Sequence, residues 1–213
     1  MNAWVLAGGQ STRMGRDKAL LELNGRFLVE EALDRLRGLG FAPRLCGSRA
    51  DLARFAEAVP DNFPGCGPLG GIEAALAASD SELNLFVPVD LPGIPQSFLR
   101  WLAARAETSQ AVATLPRLVD RPQPLCAVYS RRLLAGLRAS LAAGRYKVMT
   151  ALTESAAALG EAIDAFDVES VAAVAGEAWP ATPFRSWFRN LNTPADYAAL
   201  VAATGAKGRS AIS

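Results

Sequence analysis

Ala3 to Ala7 is a short apolar run that halts at Gly8 and Gly9. A run this short and this apolar suits a buried strand that feeds a loop. From Phe27 to Leu39 the apolar positions change period: Leu28, Ala32 and Leu36 recur at helical spacing, with Val29 and Leu33 alongside, until Gly38 and Gly40 end the pattern. The alternation then repeats. A strand is predicted over Pro43–Gly47, a helix over Asp51–Val59, a turn-rich stretch over Pro60–Gly71, a helix over Ile72–Ala78, a strand over Leu83–Asp90 and a helix over Gln96–Ala106. Strands and helices alternating at these lengths imply an α/β fold: a doubly wound, mainly parallel sheet with helices on both faces.

The second half is less regular. Strands are expected over Ala111–Leu115, Pro124–Ser130 and Ala162–Val168, and a helix over Arg131–Ala143. Thr193 as cap and Pro194 in the first turn mark a final helix running to about Thr204, followed by a frayed tail over 205–213. At 213 residues, with 51% hydrophobic and 20% charged residues, the chain suits one domain with a sizeable core.

Charge and missing residue types exclude several functions. A net charge of +1 gives no footprint for nonspecific binding of nucleic acid or a membrane surface, so any anion site is local. Cys46, Cys66 and Cys126 are scattered, with no C-x-x-C pair, and read as reduced, mostly buried hydrophobes. The chain contains no histidine, which removes histidine-based triads and proton shuttles. "MNAWVLAGG" does not look like a signal peptide, and no segment approaches the roughly 18 uninterrupted apolar residues of a membrane span. A cytoplasmic location is therefore expected.

The stretch "VLAGGQSTRMGRDKALLELNG", Val5 to Gly25, lies at the end of the first strand, where open α/β sheets bind their ligands. Gly8, Gly9 and Gly15 let the backbone approach an anion closely, so that amide hydrogens can point at phosphate oxygens. Arg13 and Lys18 would add fixed positive charge. The spacing is not that of a Walker A loop, because Arg16 and Asp17 separate Gly15 from Lys18, and there is no G-x-G-x-x-G.

"LAGGQSTRMGRDKALLELNG" resembles the signature loop of the nucleotidyltransferases of the molybdenum cofactor guanylyltransferase group, written LAGG-x-S-x-R-M-G-x-D-K. Other blocks of that family follow in order: "PDNFPGCGPLGGI", with Asp61, Gly67, Pro68, Leu69 and Gly71; "FVPVDLPGIP", with Asp90; then "QPLCAVYSRRLL", "AAGRYKVM" and "NLNTPADY". The resemblance spans about Val5 to Leu200. It implies a Rossmann-like nucleotidyltransferase fold and transfer of GMP from GTP to the terminal phosphate of molybdopterin, with release of pyrophosphate.

The resemblance also implies roles for individual residues. Lys18, Arg13 and Asp90 would be catalytic, with Asp90 holding Mg2+, a hard cation suited to carboxylate and phosphate oxygens. Leu6, Ala7, Gly8, Gly9, Lys18, Asp61 and Gly71 would bind the nucleotide, Asp61 accepting the guanine N1–H and N2–H together. Arg145, Lys147, Asn190 and Asn192 would face the acceptor, and Asp17 would orient the loop. The nucleotide half would cover about 1–105 and the acceptor half about 106–204 of a single domain. Expected partners are GTP and the molybdopterin cofactor, together with molybdenum-insertion proteins and apo-molybdoenzymes.

Local chemistry leaves alternatives at several positions. Asp90 could cap a helix beyond Pro92, Asp61 could form a turn in "PDN", and Asn190 and Asn192 could form an Asx turn. Arg145 and Lys147 could lie in a solvated loop. A sister transferase using CTP on molybdopterin or another small phosphate acceptor would share the phosphate loop, and a noncatalytic nucleotide-binding relative would share the fold. The chain departs from the family at Gln123, where some guanylyltransferases carry histidine, and over Gly176–Phe188, which matches no block and could cover the acceptor or simply pack.

Overall fold

A computed structural model describes residues 1–7, 17–47, 49–172, 179–180, 182–191 and 195–198. Gly8, Gly9, Arg13, Gly15, Asn192, Thr193, Pro194 and the tail lie outside the described residues. The chain opens with strand β1 (Asn2–Leu6), a small hairpin of β2 (Glu22–Leu23) and β3 (Arg26–Phe27), and helix α1 (Leu28–Arg37). Then come β4 (Arg44–Cys46), β5 (Ala58–Val59), α2 (Pro68–Ala78), β6 (Leu83–Pro88) and α3 (Gln96–Ser109). The second half holds β7 (Ala113–Leu118), β8 (Arg121–Pro122), β9 (Ala127–Ser130), α4 (Leu134–Ala142), α5 (Val148–Leu159), β10 (Ile163–Asp167), α6 (Val168–Ala172) and α7 (Phe184–Trp187).

The main sheet has the order β10-β7-β9-β6-β1-β4-β5, with β8 paired to β7. Its pairs are parallel except around β9, which runs antiparallel to both β6 and β7, and at the β7–β8 hairpin. Side chains alternate along each strand and so serve two cores. Ala3, Val5, Leu85 and Val87 join α1 and α3 on one face, where Val29, Leu33, Leu36, Phe98, Leu99 and Leu102 are fully buried. Trp4, Leu6 and Phe86 face α2, α4 and α5, meeting Leu69, Ile72, Leu76, Leu137 and Leu152. The long apolar runs read from the sequence follow from this two-sided burial.

Several expectations need correction. Residues 51–59 are not a helix: a single 3-10 turn, Ala50–Leu52, leads into β5. Pro60 disfavours helical backbone at Val59, and the edge of β4 needs partners, which Glu57 O and Val59 O supply to Leu45 N and Gly47 N at 2.8 and 2.9 Å. Helix α2 begins at Pro68 rather than Ile72, because Gly67, at φ +65°, turns the chain and Pro68 fits the first helical position. The helix α5 lies beyond the sequence-based expectation, although Val148, Ala151, Leu152, Ser155 and Ala156 form its buried stripe.

Candidate active site

β4, β1 and β6 are adjacent and parallel, and from β1 the chain builds β4 on one side before returning to place β6 on the other. A crevice outside the carboxyl ends of strands at such a reversal is the usual ligand position in α/β sheets. Here it is a cleft of about 270 Å3. Leu6 and Ala7 come from the end of β1, Cys46 from β4, and Pro88, Val89 and Asp90 from β6; Asp17, Lys18, Asp61, Gly67 and Gly71 complete much of the wall.

Lys18 Nζ lies 3.2 Å from Asp90 Oδ2, with both side chains about one-fifth exposed (19% and 21%). Lys18 opens a 3-10 turn whose cap is Asp17: Oδ1 accepts from Ala19 N at 2.9 Å. The other carboxylate oxygen of Asp17 pairs with Arg49 Nη2. Arg49 in turn grips Asp51 through Nε at 2.9 Å and Nη2 at 2.6 Å, contacts that hold its guanidinium above the ordinary arginine range. Asp17 thus orients the segment that carries Lys18, as its sequence position suggested. Arg49 had no motif to reveal it, since its partner lies 32 positions earlier (49 − 17).

Asp90 does not cap a helix. The N-cap of α3 is Pro95, and no side chain caps it. Asp61 does not form a turn through Oδ1, which is buried without a hydrogen-bond partner. Burial, and then repulsion from Glu73, raise the Asp61 pKa above the usual carboxylate value. Glu73 is fully buried on α2, with Arg138 Nε at 2.6 Å and Asn62 Nδ2 at 3.0 Å. Gly71 lies beside Asp61, where a Cβ would sit 3.2 Å from Cys46 Cβ and 3.7 Å from Asp61 Oδ1. A side chain there would narrow the space that Asp61 faces.

Arg145, Lys147 and Asn190 are exposed and do not line this cleft. Arg145 Nη2 pairs with Glu154 at 3.1 Å, and Lys147 stands at the N-cap of α5. Tyr146, between them, is half-exposed. Asn190 precedes Leu191, whose amide donates to Asp90 O at 3.1 Å, so this segment returns to the turn that carries Asp90. Gln123 donates its side-chain amide to Arg121 O in the hairpin, while Leu125 lines the cleft. The described part of 176–188 packs: Trp187 and Phe188 are buried against Phe98, and Trp179, partly buried, meets Trp101 edge to face. Of the cysteines, Cys46 and Cys126 are buried as expected and Cys66 is partly exposed.

The strand-end cleft carries a lysine–aspartate pair and one carboxylate oxygen without a partner, and comparison with known proteins gives the class of this fold and site as nucleotidyltransferase. A family profile described as a MobA-like NTP transferase domain matches residues 3–159, and the chain belongs to that family. It is 31% identical over 199 residues to a probable molybdenum cofactor guanylyltransferase of Carboxydothermus hydrogenoformans, covering 92% of this chain and 93% of the relative. It is 32% identical over 203 residues to the molybdenum cofactor guanylyltransferase of Vibrio cholerae, covering 92% and 89%. The crystal structure of molybdopterin-guanine dinucleotide biosynthesis protein A from Archaeoglobus fulgidus superposes with a TM-score of 0.77 at 24% identity, covering 96% of this chain and 99% of that one. Among the described residues no helix is long and apolar enough to cross a membrane.

Proposed function

We propose that this chain transfers GMP from GTP to the terminal phosphate of molybdopterin, forming molybdopterin guanine dinucleotide. The observation that carries this reading is the buried, unpartnered Oδ1 of Asp61 in the same cleft as the Lys18–Asp90 pair. An ionised carboxylate accepts two hydrogen bonds side by side, which matches the N1–H and N2–H of guanine. Leu6, Ala7 and Gly71 line the cleft for the nucleotide, and the sequence motif adds Gly8 and Gly9 to the nucleotide-binding residues.

The acceptor phosphate oxygen attacks the α-phosphorus of GTP. A new P–O bond forms, the bond to the β-phosphate oxygen breaks, and pyrophosphate leaves with the electron pair. Because the attacking group is already an anion, no general base is needed, which suits a chain without histidine. Lys18 and Arg13 stabilise the charge that builds on the α-phosphate and the leaving group. Arg145, Lys147, Asn190 and Asn192 receive the acceptor.

Asp90 is the carboxylate in this cleft suited to Mg2+, and among the described residues no cluster of three or more acidic or cysteine ligands competes with it. A lone carboxylate fits an ion that takes its other ligands from phosphates and water. When bound there, Mg2+ would neutralise charge on the triphosphate. The chain works as one nucleotidyltransferase domain in the cytoplasm and hands its product to molybdenum-insertion proteins or apo-molybdoenzymes. Pyrophosphate release with molybdopterin and Mg2+ tests the assignment: GTP should turn over and CTP should be much slower. Preferential use of CTP would overturn the guanine assignment, and turnover of neither nucleotide would overturn the transfer.

A further inference from the structure

Arg35, on α1, directs its guanidinium toward the turn that follows Asp90. Its Nη1 donates to Leu91 O at 3.0 Å and to Ile94 O at 3.2 Å. Nε donates to Glu31 O at 3.1 Å, and Gln96 Nε2 donates back to Arg35 O at 3.0 Å. The remaining nitrogen, Nη2, is buried without a hydrogen-bond partner. No salt bridge to a carboxylate is present among the described contacts of Arg35, and burial pushes its pKa down. A buried guanidinium bonded only to carbonyls costs stability relative to a neutral donor that would satisfy the same oxygens. What the arginine adds is a rigid fork and two charge-assisted bonds to one short turn.

That turn is fixed from other directions as well. Leu91 and Ile94 are buried, and Ile94 N closes on Leu91 O at 3.4 Å. A Cβ on Gly93 would lie only 2.5 Å from Ser186 O, so α7 itself presses directly on the turn. Leu191 N holds the carbonyl of Asp90 itself at 3.1 Å. The carboxylate that meets Lys18 therefore projects from a peptide gripped by Arg35 on one flank and by residues 186–191 on the other.

We propose that Arg35 is a positioning residue: by holding Leu91 O and Ile94 O, it sets the Asp90 carboxylate against Lys18 and the metal-bound triphosphate. The proposal rests on the reading of Asp90 as the metal-holding residue. Groups that position a metal-binding carboxylate without touching the metal affect affinity or activity by about 10- to 100-fold.

The test uses the full chain with Arg35→Gln, Arg35→Lys and Asp90→Asn, each measured well below its own unfolding temperature. Mn2+ binding to the protein–GTP complex, followed by electron paramagnetic resonance, should weaken about tenfold in Arg35→Gln. Hydrogen exchange of the 91–94 amides should speed up, and kcat should fall while the KM for GTP stays nearly constant. Arg35→Lys, which keeps a charged donor, should recover part of the loss. If both Arg35 variants bind Mn2+ and turn over like the wild type, and differ only in melting temperature, the positioning role is wrong. If Asp90→Asn binds Mn2+ as well as the wild type, the reading of Asp90 falls and this proposal with it. Should Arg35→Gln not fold, Arg35→Lys alone decides: unchanged Mn2+ affinity and kcat overturn the proposal.

Discussion

On the nucleotide side of the cleft, charged groups are held by partners that the sheet brings from distant parts of the chain: Lys18 by Asp90, and Asp17 by Arg49. Of the residues proposed to receive the acceptor, Arg145 is 48% exposed and pairs with Glu154 nine positions along, while Lys147 and Asn190 are exposed. Half-exposed pairs of the second kind are worth about 0–1 kcal/mol and are weakened by salt. Partly buried charges with fixed geometry act at full strength on a substrate and need no reordering. With the roles proposed above, this contrast predicts that the nucleotide site is organised before any substrate arrives and that the acceptor site is organised by its ligand.

The comparison can be broken first at Lys18. Lys18→Ala should lower kcat by about 10²- to 10³-fold, as expected for loss of one preorganised charge, in a pyrophosphate-release assay. Asp61→Asn should reduce the preference for GTP over CTP by roughly 10- to 100-fold, because the amide offers the guanine edge one acceptor where the carboxylate offers two.

The same substitution should stabilise the free protein. The folded-state pKa of Asp61 is raised, so the unfolded chain ionises this group first as pH rises, and the burial penalty grows until the folded group ionises too. At neutral pH Asp61→Asn should therefore melt at a higher temperature than the wild type in a thermal-unfolding scan. The gain should shrink below about pH 4, where the unfolded aspartate is itself protonated.

On the acceptor side, Arg145→Ala should raise the KM for molybdopterin by about five-fold or less at low salt, leave the KM for GTP unchanged, and have a smaller effect at high salt. The smallest effect concerns the cysteines. Burial pushes the Cys126 thiol up to about 12 and also raises that of Cys46, so Cys66 alone should react readily with a thiol reagent in the folded protein. All three should react in denaturant.

Much of the nucleotide side was legible from the sequence, because its signals are local. The run Ala3–Ala7, the helical spacing from Leu28 to Leu36 and the strand ending in Asp90 each carry period and punctuation within a few residues. What escaped depends on contacts between distant segments. Antiparallel insertion of β9 between β6 and β7 is a choice of pairing that no single strand encodes. The β7–β8 hairpin turns through Val119 and Asp120 at φ +49° and +61°, a conformation usually signalled by Asn-Gly or Asp-Gly rather than by valine. Residues 51–59 look amphipathic yet serve the edge of β4, and Arg35 and Arg49 carry no motif because their importance lies in carbonyls and carboxylates 56 and 32 positions away (91 − 35 and 49 − 17).

Binding of each substrate in the absence of the other tests most directly whether the nucleotide site is built in advance. Calorimetry with a non-hydrolysable GTP analogue and Mg2+, without molybdopterin, should show saturable binding that Lys18→Ala weakens, whereas molybdopterin without nucleotide should bind at least about tenfold more weakly than with it, a coupling of about 1.4 kcal/mol. If the analogue binds only after molybdopterin, or if molybdopterin binds equally well with the nucleotide site empty, the two sides are not organised in the order proposed.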